Sequence, residues 1–299
     1  MTRTARPEQD TLARSAARFL DTAQALTDDD ARRASALPGW TRAHVLTHVA
    51  QAADSRTGLL RASRAGRVGV QYPSEHARAE AIEVAARRPA AVIRAGLHRA
   101  VQECLTAIGE HPAQLWDAPA IWLGAGRRPV RGVITSLRRE LEYHHVDLAA
   151  DYAPADWPGD FIATELSRVT ALMDRRADAP PMTLTGPATV RIGTTSAVDV
   201  IGPPAAILAW LSGRGDGSGP HPDSAACRPS HRWPSPAAPG RWWPRNVQQT
   251  QEGPADTAPS GGGSPGTLAT ALLHSRSPAW RGRPIIGESP AWSTENDAS

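Results

Sequence analysis

Apolar residues recur at three- and four-residue spacing through the first half of the chain, the period of a helix with one buried face. Leu12, Ala16, Phe19, Ala23 and Leu26 form one such stripe and predict a first helix. Thr41, after Leu37-Pro38-Gly39-Trp40, is a good N-cap for a second, whose stripe is Val45, Val49, Ala52, Ala53, Leu59 and Leu60. A third helical region runs from Ser74 through Thr106, is interrupted near Pro89, and has Ala91, Ile93, Leu97, Val101 and Leu105 as its clearer buried face. A fourth helix follows Pro129 and carries Val133, Ile134, Leu137, Leu141 and Leu148. Four long amphipathic helices predict an antiparallel bundle over residues 8–152.

The period then changes. After Pro158 a helix extends to about Arg175, and alternating segments follow at Met182–Thr185, Thr189–Ile192 and Ala197–Ile201, each bounded by Gly or Pro turns. Pro203 and Pro204 suit the first turn of a last helix, continued by Ala206, Leu208, Ala209, Trp210 and Leu211 to Gly213. Residues 158–215 thus read as a small α+β domain, making the fold class α+β overall. From 216 to 299 no period survives, and 13 Pro and 10 Gly in 84 residues give low-complexity composition. Yet this tail holds Trp233, Trp242, Trp243, Trp280 and Trp292, unlike a solvated linker. Two readings stand: a reading-frame error after about Ser218, or a disordered tail dotted with tryptophan.

With 299 residues the chain is long enough for two domains. Its charge of +3 and pI near 9.4 raise nucleic acid as a partner. All 33 basic residues are Arg, however, which with abundant Ala, Gly and Pro points to GC-rich coding. The arginines also alternate with acids, as in Arg138-Arg139-Glu140-Leu141-Glu142, so no basic block forms and nucleic acid is not the expected partner. Cys104 and Cys227 are too few for a disulfide framework. Met1–Arg14 lacks an apolar leader segment, and the longest apolar stretch, Val200–Trp210, is broken by Gly202, Pro203 and Pro204. The expectation is a cytoplasmic protein without a membrane partner, as monomer or homodimer.

The fourth helix carries the candidate chemistry. Glu140 and His144 are four apart and interleave with Leu137, Leu141 and Leu148, so both should point inward. Glu142 and His145 should lie roughly opposite, toward solvent or a neighbour. An inward carboxylate needs a compensating cation. His48 lies on the apolar face of the second helix, between Val45 and Ala52, whereas His44 sits nearer its edge. His48, Glu140 and His144 would make a His2Glu set, which leaves a zinc position open for substrate or water. Two rivals remain at this level: a triplet of His44, His48 and Asp147, and ordinary hydrogen-bonded core histidines.

Three blocks carry a family resemblance: Leu37-Pro38-Gly39-Trp40-Thr41-Arg42 leading to Val45-Leu46-Thr47-His48, Arg139 through Leu148, and Ala209-Trp210-Leu211-Ser212-Gly213-Arg214. In this order they resemble the mycothiol-dependent maleylpyruvate isomerases, over about residues 8–218. That family has a DinB-like metal-binding four-helix bundle followed by a small α+β domain. The resemblance implies that His48, Glu140 and His144 ligate a divalent zinc, with mycothiol, a low-molecular-weight thiol, as the other cofactor. It also implies that Arg214 reaches the active site as a catalytic residue, where guanidinium suits a dianionic small-molecule substrate. Its plainer role would be a cation at a helix C-terminus.

The implied reaction is cis–trans isomerisation: thiolate adds to the double bond of maleylpyruvate, the new single bond rotates, and elimination returns the thiol with fumarylpyruvate. A thiol-dependent S-transferase on the same scaffold and a non-catalytic metal- or ligand-binding module are the alternatives. The sequence departs from the family at Gln51-Ala52-Ala53-Asp54, where relatives often carry Arg-Asn-Ala-Asp, and in its long tail.

Overall fold

The computed structural model of the chain describes residues 5–175, 182–185, 189–192, 198–215 and 221–222. Its first part comprises α1 (Ala5–Ala25), α2 (Asp28–Arg32), α3 (Arg42–Arg64), β1 (Gly69–Val70), α4 (Glu75–Ala86), α5 (Ala90–Gly109), β2 (Pro119–Trp122), β3 (Gly126–Pro129) and α6 (Gly132–Asp147). The helices α1, α3, α5 and α6 close a ring in which α1 and α3 each pack against both α5 and α6. Their stripes meet in one core, with Leu12, Phe19, Leu46, Leu59, Leu60, Leu97, Leu137 and Leu141 fully buried. Such burial contributes roughly 1.5–3 kcal/mol for each large aliphatic or aromatic side chain, which is why the stripes rather than local propensity decide the architecture.

Helix ends fall where the sequence places them. Thr41 stands in extended conformation before α3, and its backbone N–H donates to His44 Nδ1 at 3.1 Å. Ser74 caps α4 by accepting from the Ala77 N–H at 3.0 Å, and Pro89 separates α4 from α5.

Two features escape the periodic reading. The short helix α2 starts from a capping box in which Thr27 and Asp30 satisfy each other's backbone N–H groups. A three-stranded sheet of order β1-β2-β3 also lies in the helical part, β1 parallel and β3 antiparallel to β2. Its strand β1 has two residues, and Pro119-Ala120-Ile121-Trp122 and Gly126-Arg127-Arg128-Pro129 do not alternate apolar with polar. Gly69 lets β1 lie directly on α3, because a Cβ there would come within 3.1 Å of the Leu59 Cα.

The second part comprises α7 (Gly159–Asp174), β4 (Met182–Thr185), β5 (Thr189–Ile192), β6 (Val198–Ile201), α8 (Pro204–Leu211) and β7 (His221–Pro222). The sheet order is β5-β4-β6-β7, with β4 and β6 parallel and the other pairs antiparallel. The chain is therefore mostly helical with small sheets, an α+β fold. Its fourth strand lies beyond residue 215, where the sequence reading ends the domain. Residues 223–299, including all five tail tryptophans, lie outside the described residues. No described helix is long and apolar enough to cross a membrane.

The helix α6 serves both parts. Tyr143 leaves the first core and packs with Trp157, Phe161, Val169, Met173, Ile207, Leu208 and Leu211 in a second. On the same helix Arg138 grips Asp160 with two hydrogen bonds of 2.8 and 2.9 Å, and Arg139 Nε donates to both oxygens of Glu165.

Cys104 is fully buried in the first core, and burial pushes its thiol up to about 11. In a Cys227→Ser variant, the remaining thiol is expected to stay silent to a disulfide reagent at pH 8 and to react once denaturant unfolds the protein. Rapid stoichiometric reaction under native conditions would contradict this packing.

Candidate metal centre

His48 projects from α3, and Glu140 and His144 from α6, into one cluster whose candidate ligand atoms all lie within 4.8 Å of one another. Helical geometry produces it simply: Glu140 and His144 are stacked one turn apart, and the facing apolar stripe of α3 holds His48 opposite them. His48 Nε2 is 3.0 Å and His144 Nε2 3.3 Å from Glu140 Oε2. The two imidazoles meet edge to face with centroids 4.5 Å apart. Both histidines are buried, whereas Glu140 keeps 25% of its side-chain surface exposed, so the cluster opens to solvent on the carboxylate side.

Each member has a partner behind it. Arg56, fully buried on α3, donates to Glu140 Oε1 at 2.8 Å and to Ser136 Oγ at 2.6 Å. His144 Nδ1 lies 2.8 Å from Asp147 Oδ2, which also accepts from Arg214 Nη2 at 2.6 Å. The Asp147 carboxylate can only accept, so His144 donates from Nδ1, and in the neutral ring the lone pair of Nε2 faces the cluster. His48 Nδ1 instead accepts from Arg78 Nη2 at 2.8 Å.

Charge follows this geometry. Burial opposes ionisation of Glu140, but the Arg56 guanidinium and the two histidines outweigh it and hold the carboxyl well below its ordinary range. Asp147 is likewise held ionised against burial, chiefly by Arg214. Burial lowers His144 while its bonds to Asp147 and Glu140 raise it, and the carboxylates prevail. His48 is pushed down to about 3 by burial, then by Arg78 and His144, so it is neutral at ordinary pH.

Two imidazole nitrogens and a carboxylate oxygen, with an aspartate behind one imidazole, form a donor set that fits zinc or another divalent cation and leaves a coordination position open. Among the described residues this is the group with metal-ligand convergence.

Other sequence candidates are placed elsewhere. Glu142 and His145 face a neighbour, not solvent, and both are buried against α1. Glu142 accepts from Ser15, from Arg18 Nη2 at 2.7 Å and from the Tyr152 hydroxyl at 2.5 Å, and His145 pairs with Thr22 at 2.7 Å. His44 Nδ1 lies 2.7 Å from Thr41 Oγ1 and its Nε2 lies 3.4 Å from Glu83, while Asp147 sits behind His144, so the triplet of His44, His48 and Asp147 does not assemble. The resemblance directs Arg214 at substrate. In the structure its guanidinium, 7% exposed, donates to Asp147, to the Ser212 carbonyl at 3.0 Å and to the Tyr143 carbonyl at 3.3 Å.

Sequence reading missed Arg56 and Arg78. Arg56 lies eight residues after His48, two helical turns along the same face, which is a usable signal. Arg78 is on α4, and nothing in the local pattern joins it to α3.

The helical domain, its His2Glu cluster and the α+β unit that follows define a class of candidate metal-binding proteins with a helical N-terminal domain. Residues 12–149 match the family model described as the mycothiol maleylpyruvate isomerase N-terminal domain. Two solved structures share the fold: a mycothiol-dependent maleylpyruvate isomerase and a histidine-to-alanine mutant of it. Each is 22% identical and gives a TM-score of 0.70, covering 77% of this chain and 97% of its own. No curated protein gives a significant match.

Replacing Arg56 with Met would strip Glu140 of its buried counter-ion while leaving the hydrocarbon volume. Removing one partner of such a pair costs about 3 kcal/mol. We expect a loss of that order in metal-free protein by urea titration; an unchanged midpoint would show that Arg56 does not stabilise the carboxylate.

Proposed function

We propose that this chain is a divalent-metal-dependent, mycothiol-using cis–trans isomerase acting on a small dicarboxylate of the maleylpyruvate type. The observation that carries this reading is the convergence of His48, Glu140 and His144, with the His144 tautomer fixed from behind by Asp147 and Arg214. The family of residues 12–149 and the fold of the solved isomerase support the reaction class.

When bound, zinc would supply Lewis acidity that lowers the pKa of a thiol placed at the open position, making it nucleophilic at neutral pH. The chain's own residues do the rest. His48, Glu140 and His144 would hold the cation. Arg56 keeps Glu140 ionised and aims Oε2 between the imidazoles. Asp147, pinned by Arg214, keeps the proton of His144 on Nδ1 and the Nε2 lone pair available. With both histidines buried and the carboxylate partly exposed, thiol and substrate would approach from the carboxylate side.

In this reading Arg214 is a positioning residue that acts through Asp147. The two domains, 8–152 and 158–215, are proposed to act as one unit because Arg214 belongs to the second and His144 to the first.

Zinc content after dialysis and mycothiol-dependent isomerisation of maleylpyruvate, measured on the same preparations of the full chain, test the proposal. Wild type is expected to retain about one zinc and turn over, and His48→Ala to lose both. Asp147→Asn should weaken zinc roughly 10- to 100-fold, the usual cost of losing a carboxylate behind a ligating histidine. Zinc without turnover would overturn the isomerase assignment and leave the metal centre; absence of zinc would overturn both.

A further inference from the structure

Arg78 is the charged neighbour of the cluster that the proposed function does not employ. It projects from α4, is half-buried, and places its guanidinium carbon 5.6 Å from the centre of the Tyr72 ring. Its described polar contact is the 2.8 Å bond from Nη2 to His48 Nδ1.

Arginine offers only donors, so His48 Nδ1 must be the acceptor and the neutral ring carries its proton on Nε2. That proton points at Glu140 Oε2, 3.0 Å away. A cation bound at Nε2 needs a lone pair on that nitrogen, where this tautomer carries its proton. The neutral ring then carries its proton on Nδ1, and that N–H would face the guanidinium donor against donor. A neutral His48 can thus be held by Arg78 or ligate through Nε2, but not both.

The other two arginines behave differently. Arg56 bonds Glu140 Oε1, not the oxygen between the histidines, and Arg214 bonds Asp147, on the side of His144 away from the cluster. Neither partner changes its hydrogen-bonding character when a cation enters. Arg214 also has Nε, Nη1 and Nη2 all engaged. Arg78 alone of the three loses its partner, the ring of a residue in the cluster itself.

We propose that Arg78 is displaced from His48 when the metal binds and then receives a carboxylate of the substrate. This inference rests on the metal-dependent reading above and assigns its specificity residue. The freed guanidinium presents a planar fork that matches a carboxylate with two parallel hydrogen bonds. Tyr72 offers the cation an aromatic neighbour. Metal loading and recognition of the anionic substrate are coupled through one side chain: metal-free protein keeps its carboxylate receptor occupied, and loaded protein sets it free.

The test uses the full chain and two binding measurements. Zinc affinity is read by competition with a chromophoric chelator, and maleate, a simple cis dicarboxylate, is titrated calorimetrically into zinc-loaded protein. Loss of a charge-assisted hydrogen bond corresponds to a change of about tenfold or more. Arg78→Met is therefore expected to bind zinc about tenfold more tightly and maleate about tenfold more weakly than wild type, with an unchanged thermal transition. Arg78→Gln should move both quantities in the same directions by less, and serves if the Met variant does not fold.

Unchanged or weaker zinc binding by the Arg78 variants would overturn the competition. A maleate loss confined to Arg214→Met would return the carboxylate to Arg214 and overturn the receptor assignment. Either result, with wild type binding zinc, defeats this inference alone; a wild type that binds no zinc defeats the metal reading with it.

Discussion

A carboxylate set between two buried imidazoles is the constraint on which the rest of the site depends. Glu140 must stay ionised where burial opposes its charge, and the structure meets this with Arg56 on one oxygen and His48 and His144 on the other. An ionised carboxylate so placed attracts a cation and fixes where it would sit. The apolar stripes of α3 and α6 bring the groups together, and the buried arginine prevents the carboxylate from escaping its charge by protonation.

The same helix distributes its polar residues around its whole circumference. Glu140 and His144 face α3, Glu142 and His145 face α1, and Tyr143 reaches the second core. Asp147, at the end of α6, links His144 to Arg214 after α8. A helix this polar on every side is held by partners from several directions, each buried charge matched by a specific donor. The α+β part therefore contributes to the candidate metal centre from outside the cluster: it provides the arginine that keeps the aspartate behind His144 ionised and oriented.

Much of this was legible in the sequence because it follows from period. The stripes gave four long helices, Pro89 and Thr41 marked boundaries, and the interval of four between Glu140 and His144 put both on one face. His48 was legible because it interrupts an apolar stripe. Other features were not legible for equally physical reasons. Two residues carry no alternation, so β1 and β7 were invisible, and neither Pro119-Ala120-Ile121-Trp122 (β2) nor Gly126-Arg127-Arg128-Pro129 (β3) alternates as β4 and β5 do. Arg78 approaches His48 from a different helix, a tertiary relation without a local signature. For Glu142 and His145 a face analysis could say only that they lie opposite the cluster, toward solvent or a neighbour; burial depended on α1, whose Ser15, Arg18 and Thr22 complete their bonds. Arg214 shows a resemblance naming a residue while leaving its partner open: here that partner is Asp147.

The central claim concerns what surrounds a bound metal. X-ray absorption at the zinc edge of the loaded full chain measures this directly. The account predicts a shell of nitrogen and oxygen at about 2.0–2.2 Å with the outer-shell scattering of two imidazoles, reduced to one imidazole in His144→Ala. Sulfur from a cysteine at about 2.3 Å, or a shell without imidazole scattering, would contradict it.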